Sequence, residues 1–268
     1  MKKKPYIGVT GFMSPDEVNE TLRDINFKKA NRLLMVGVLA SAKTLVGQTN
    51  KWPNRYPKWE NVKNIFQEND NCLNLIHFNT KEPDQLTFHL NSMTDAVGPK
   101  LHGFQLNIAW PNPESIARYK DVHPDKVIVL QVGGHAFSMV NHEPEMVEDM
   151  VKSYLGLIDY VLLDPSGGLG QELNPFAMRD YLLALAKHEK QIGLGVAGGL
   201  SAGTVKILEP LIKDYPNLSI DAEGRLRTEI GDNLNVPVTR GYIQQSLDLF
   251  ERVRLETMSS GEYTPGES

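Results

Sequence analysis

Two carboxylates sit where a buried strand gives way to polar chain. Residues 158–171, Ile-Asp-Tyr-Val-Leu-Leu-Asp-Pro-Ser-Gly-Gly-Leu-Gly-Gln, carry Asp164 to the end of an apolar run and then break into glycine. Residues 218–222 end the same way, in Asp221-Ala-Glu-Gly. A carboxyl group at the polar end of a buried strand can be tuned to donate or accept a proton near neutrality, which makes Asp164 the leading catalytic candidate. Its competing structural role is to pair a Lys or Arg, or to form the turn before Pro165. For Asp221 the competing role is a hydrogen bond to neighbouring backbone at the strand end.

Glycines follow both runs and a third one between them. Gly167 and Gly168 follow the first, Gly198 and Gly199 follow residues 192–197, and Gly224 follows Asp221. Without a Cβ, such segments bring backbone N–H groups close to an anion, and Ser201 is placed to cap a helix behind the second pair, so these glycines read as a phosphate cup. Glycines also make tight turns between strand and helix, which is the plainer reading of any one pair. The segment 40–57 is long for a connection and carries Lys43, Lys51, Trp52, Arg55 and Tyr56. Segments of that length tend to be lids or binding loops; Lys43 and Arg55 could clamp an anionic or aromatic substrate, or the whole set could be solvated surface. His135, after Gly133-Gly134, is a lone histidine, and no His, Cys, Asp or Glu set has metal-ligand spacing. No metal and no cofactor are expected.

The elements that must position these groups alternate along the chain. Continuous apolar runs at 5–10, 33–39, 73–78, 104–108, 127–132, 158–164, 192–197 and 218–222 read as strands covered on both faces. Between them fall a helix opened by Ser14-Pro-Asp-Glu and running to about residue 31, then helices at 59–67, 83–96, from 112, 144–155, 175–187, after Ser201, and 241–254. Eight strand–helix units in this length predict a single (β/α)8 barrel of parallel strands over residues 1–258, with 259–268 a disordered tail. A doubly wound open sheet is the alternative. In a barrel all strand carboxyl ends face one mouth, which would gather Thr10, Asn79, Asn107, Gln131, Asp164 and Asp221.

Composition narrows the partners. The chain has 268 residues, 41% hydrophobic, with a net charge of −5 and scattered Lys and Arg, so no nucleic-acid footprint is indicated. No apolar run is long enough to span a bilayer, and the first four residues lead into a strand rather than a secretory core, so no membrane partner and a cytoplasmic location are expected. The lone Cys72 excludes an intrachain disulfide and a Cys-based zinc site, and its place at the start of a strand suits packing.

The late segments, Leu162-Leu-Asp, Gly167-Gly-Leu-Gly, Val196-Ala-Gly-Gly-Leu-Ser and Ile220-Asp, resemble phosphoribosylanthranilate isomerase of tryptophan biosynthesis, a (β/α)8 enzyme of the ribulose-phosphate-binding class. Thr10-Gly-Phe-Met-Ser-Pro-Asp-Glu, Gly37 and Gln105-Leu-Asn are similar as well, so the resemblance runs from residue 5 to about 255. It implies a phosphorylated small-molecule substrate and an Amadori-type aldose–ketose isomerisation, an intramolecular oxidoreduction by acid–base proton transfer. Asp164 falls on the family's general acid, while Gln105 and Asn107 fall on a substrate-binding segment in which Asn107 replaces a histidine. The family's base is a cysteine where this chain has Thr10. A hydroxyl has no thiolate-like state near neutrality, so the base must be another group, such as Asp221 or Glu223. Glu223 itself replaces one of a pair of serines. The alternatives are a different phospho-sugar epimerase or lyase on the same barrel, and a phosphate-ligand-binding barrel without chemistry.

Overall fold

The computed structural model of the protein describes residues 3–166 and 172–259. Eight strands close into a barrel, each parallel to the next and β8 to β1. They are β1 (Tyr6–Thr10), β2 (Leu33–Ser41), β3 (Cys72–Asn79), β4 (Gly103–Leu106), β5 (Val127–Gly133), β6 (Tyr160–Asp164), β7 (Gly193–Ala197) and β8 (Ser219–Ala222). The helices are α1 (Pro15–Leu22), α2 (Ala42–Leu45), α3 (Val62–Ile65), α4 (Leu86–Val97), α5 (Pro113–Val122), α6 (Gly134–Met139), α7 (Pro144–Lys152), α8 (Pro175–Ala186), α9 (Glu209–Asp214) and α10 (Val236–Ser259). The predicted (β/α)8 architecture is the one observed.

Apolar packing occupies two layers. Ile7, Val36, Ile76, Phe104 and Val161 face outward into the main core under the helices, each such buried side chain stabilising the fold by about 1.5–3 kcal/mol. Tyr6, Met35, Leu73, Leu75, Val129, Tyr160 and Leu162 form a separate cluster inside the barrel. Strand side chains alternate between faces, so the inward row continues from Leu75 to His77, from Val129 to Gln131 and from Leu162 to Asp164. The interior therefore turns from apolar to polar on approaching the mouth.

Several helix ends differ from the sequence expectation. The α1 start is a capping box, Glu17 N donating to Ser14 Oγ at 3.3 Å and Ser14 N to Glu17 Oε2 at 3.2 Å. The helix stops at Leu22 rather than near residue 31, because Asp24 adopts φ +60° and turns the chain out of the helix, and Arg240 of α10 donates to the backbone carbonyls of Glu20 and Arg23 at this end. The last helix begins five residues earlier than expected: Pro237 falls in its first turn, where no backbone donor is needed, and Asn235 Oδ1 accepts from Val238 N at 3.2 Å. Ser201 does not cap an α-helix. The Thr204 hydroxyl accepts from Ser201 N at 2.9 Å and donates to Gly199 O at 2.9 Å, holding a turn ahead of a 3-10 stretch, Val205–Leu208.

Candidate active site at the barrel mouth

One cavity at the carboxyl ends of the strands is lined by His77, Asn107, Gln131, Asp164, Asp221 and Glu223, together with backbone at Gly198, Gly199 and Gly224. The sequence candidates Asn107, Asp164, Asp221, Glu223, Gly198, Gly199 and Gly224 thus meet at one place. Gly167 and Gly168 lie outside the described residues. Gly198 and Gly199 take φ +131° and +56°, values that side chains other than glycine rarely adopt, so the chain can turn sharply at the cavity wall.

Asp221 is held deep in the barrel mouth. It is 5% exposed, and it accepts from Thr10 Oγ1 at 3.2 and 3.1 Å and from Gln105 Nε2 at 3.2 Å. Gly8 pairs with Asp221 in the β1–β8 register, and a Cβ on Gly8 would come within 2.6 Å of Asp221 Oδ1; only a glycine on β1 leaves room for this carboxylate. Burial pushes its pKa up to about 7, opposed by the Gln105 hydrogen bond and assisted by the nearby Glu223 charge. A group with that affinity can hold or release a proton at physiological pH.

Asp164 is anchored from both sides. Its Oδ1 accepts from Ser166 Oγ at 2.6 Å and Ser166 N at 3.1 Å, and its Oδ2 accepts from Gln131 Nε2 at 2.9 Å. Gln131 Oε1 in turn accepts from Gln105 Nε2 at 3.1 Å. The two aspartates are therefore linked through a pair of amide side chains, which fixes their orientation.

His77 was not foreseen. It is 5% exposed, stands 3.4 Å from Gln105 Nε2 through Nδ1, and its Nε2 is buried with no hydrogen-bond partner among the described residues. Burial lowers its pKa to about 4, against the pull of Asp164, so it faces the site as a neutral imidazole. The available signal was its spacing of two from the inward Leu75.

Several expected site residues stand elsewhere. Asn79 is exposed, donates to Asn107 O at 3.3 Å and lines a separate outer groove; it lies on the same face as His77 but one step further along β3, past the level of the cavity. Gln105 and Thr10 are buried beneath the cavity rather than on it, because each lies at the inner layer of its strand. Both hydrogen-bond the Asp221 carboxylate. Arg55, expected as an anion clamp, donates through Nη1 to Glu223 Oε1 at 2.8 Å and makes a forked pair with Asp232 at 2.6 and 2.9 Å. Lys43 is exposed on α2 and lines the outer groove. His135 is exposed on α6 and is not part of the cavity. Cys72 is buried at the amino end of β3, and burial pushes its thiol up to about 12, far from a reactive thiolate. Among the described residues no group of three or more His, Cys, Asp and Glu is arranged to hold a metal ion, and no helix is long and apolar enough to cross a membrane.

The protein is thus a (β/α)8 barrel whose mouth holds two hydrogen-bonded aspartates beside glycine-lined backbone. No protein-family model and no curated protein sequence matches the chain. Among solved structures, it is similar to a protein provisionally described as a deoxyribose-phosphate aldolase from Toxoplasma gondii, with 11% identity, a TM-score of 0.50, and coverage of 91% of this chain and 94% of that one. It also aligns with the catalytic domain of a chitinase from Pyrococcus furiosus, at 14% identity and a TM-score of 0.49, over 98% of this chain and 99% of that one. At these identities the likeness extends to the barrel fold and no further.

Proposed function

We propose that the barrel mouth isomerises a phosphorylated aldose derivative to its ketose form by proton transfer, with Asp164 as general acid and Asp221 as general base. Asp164 gives a proton to the ring oxygen and opens the sugar; Asp221 takes a proton from the adjacent carbon, and the enol-type product relaxes to the ketose. The observation that carries this reading is Asp221 itself, a buried carboxyl with a pKa of about 7 on the same cavity as Asp164. It occupies the side of the site where the resembling family uses a cysteine, and it accepts a hydrogen bond from Thr10, the residue in that cysteine's place. Glu223 is the weaker base because Arg55 already holds it.

The phosphate falls to the backbone at Gly198, Gly199 and Gly224, where N–H groups can meet it without a side chain intervening. Glu223 beside Gly224 would repel an anion if alone. Its charge is offset by Arg55 at 2.8 Å and by the nearby Arg227.

Purified protein offered N-(5-phosphoribosyl)anthranilate and a panel of aldose phosphates tests the proposal. Turnover of one of them is expected, with Asp164→Asn and Asp221→Asn each lowering kcat by about 10²–10⁴ at little change in substrate affinity. Full activity in both variants would remove the acid–base assignment. No isomerisation of any panel member would remove the reaction class.

A further inference from the structure

A second concave site lies beside the mouth, between the segment that follows β2 and the beginning of α4. This groove has a volume of about 900 Å3, within the range of small-molecule sites. Its lining is unusual for open surface. Trp52 and Phe88 are large apolar residues left 45% and 65% exposed, with Tyr56 and Trp59 beside them. Lys43, Lys51 and Lys81 line the same groove against a single carboxylate, Glu82. Lys51 Nζ and the Arg55 guanidinium carbon stand 4.8 and 5.0 Å from the Trp52 ring centre, so cations and aromatic ring are already adjacent. In the wall, His89 is 7% exposed and its Nδ1 is buried with no hydrogen-bond partner among the described residues.

We propose that this groove binds a nucleoside monophosphate, the base against the exposed aromatic faces and the phosphate among the three lysines. Two properties select that class. The surplus of two positive charges matches a phosphate near its dianionic form, and the apolar wall matches a flat ring that gains from stacking out of water. A single-ring acid would leave most of the volume empty, and inorganic phosphate would leave the aromatic wall exposed. The groove adjoins the catalytic cavity through Asn79, which lines it and donates to the backbone of Asn107 at the mouth. Occupancy does not depend on the reaction at the mouth.

Two of the three tryptophans, Trp52 and Trp59, line the groove, so binding is read by their fluorescence in the full-length protein titrated with AMP and UMP, with equilibrium dialysis of labelled AMP as a second measure. Saturable binding is expected, weakened about tenfold for adenosine and for the Lys43→Gln/Lys81→Gln double variant. Asp164→Asn should bind AMP as the wild type does, which separates this site from the mouth. The proposal is overturned by absence of saturable binding up to about 1 mM nucleotide. It is equally overturned by ribose 5-phosphate binding in the groove as tightly as AMP, or by a double variant that binds AMP unchanged.

Discussion

Arg55 joins two loops that are 168 residues apart, donating from Nη1 to Glu223 Oε1 at 2.8 Å while its other nitrogens fork onto Asp232. The segment after β2 is thereby tied to the exit of β8 over the end of β1. Asn54 Nδ2 donating to Gly231 O and Arg227 donating to Asn54 O at 2.8 Å add to the same junction. The side chains of Arg55 and Glu223 are only 15% and 19% exposed, so water screens the pair weakly and neither charge is well solvated alone.

Arg55→Ala is therefore expected to destabilise the protein by about 1–3 kcal/mol, since Glu223 and Asp232 lose their partner. For a chain of this size that corresponds to about 2–4 °C in Tm per kcal/mol. Arg55→Lys should recover only part, because an ammonium cannot reproduce the fork. Calorimetry checks the size, and limited proteolysis within residues 46–58 should accelerate in Arg55→Ala. An unchanged Tm and unchanged cleavage would show that the latch carries no stability.

Asp221 makes stability depend on pH. Its folded pKa of about 7 lies above the ordinary 3.8, so the native state binds the extra proton between these values and stability falls as pH rises through them. The contribution is fully present below about pH 4 and gone above about pH 7, with an amplitude on the order of 4 kcal/mol. Urea unfolding of wild type and Asp221→Asn at pH 4, 6 and 8 measures it, since the variant should lose this part of the slope. Parallel slopes in the two proteins would place the titration elsewhere.

His77 should titrate far below an ordinary histidine. Burial lowers its pKa to about 4, so the native state resists protonation and stability declines as pH falls from about 6.5 toward 4. In NMR spectra the His77 ring resonance, assigned by comparison with His77→Gln, is expected to stay constant from pH 8 to about 5. A midpoint near 6.5 would contradict its burial as a neutral ring.

Gly8→Ala tests the room made for Asp221. The added methyl group would meet Asp221 Oδ1 at 2.6 Å and the Met35 methyl carbon at 2.8 Å, and neither can withdraw from a closed barrel interior without displacing its neighbours. A loss of about 1–3 kcal/mol is expected from overpacking. Activity should fall further than Tm suggests, since the carboxylate is what moves; retention of full activity would show that Asp221 tolerates displacement.

Local pattern in the sequence determined the barrel. Eight apolar runs separated by helix signals are short-range features, and each strand needs only its own residues to declare itself. Asp164 and Asp221 were legible for the same reason, each being the polar end of an apolar run. How far β3 reaches past the barrel rim was not legible: it is buried along seven successive residues and only its last, Asn79, is exposed, and an apolar run does not say at which residue it leaves the barrel. His77 and Asn79 share one face of the strand, and only closure of the barrel set the level at which His77 lines the mouth while Asn79 lies beyond it. Gln105, read as a substrate-binding residue, and Thr10, read at the position of the family's base, both hydrogen-bond Asp221 across the closed barrel, a contact between distant strands that no local pattern records. Arg55 and Glu223 were each noticed in the sequence, but their pairing is an ion pair between distant loops. Such a contact leaves no periodicity behind, and tertiary structure alone joined a candidate anion clamp and a candidate base into one ion pair.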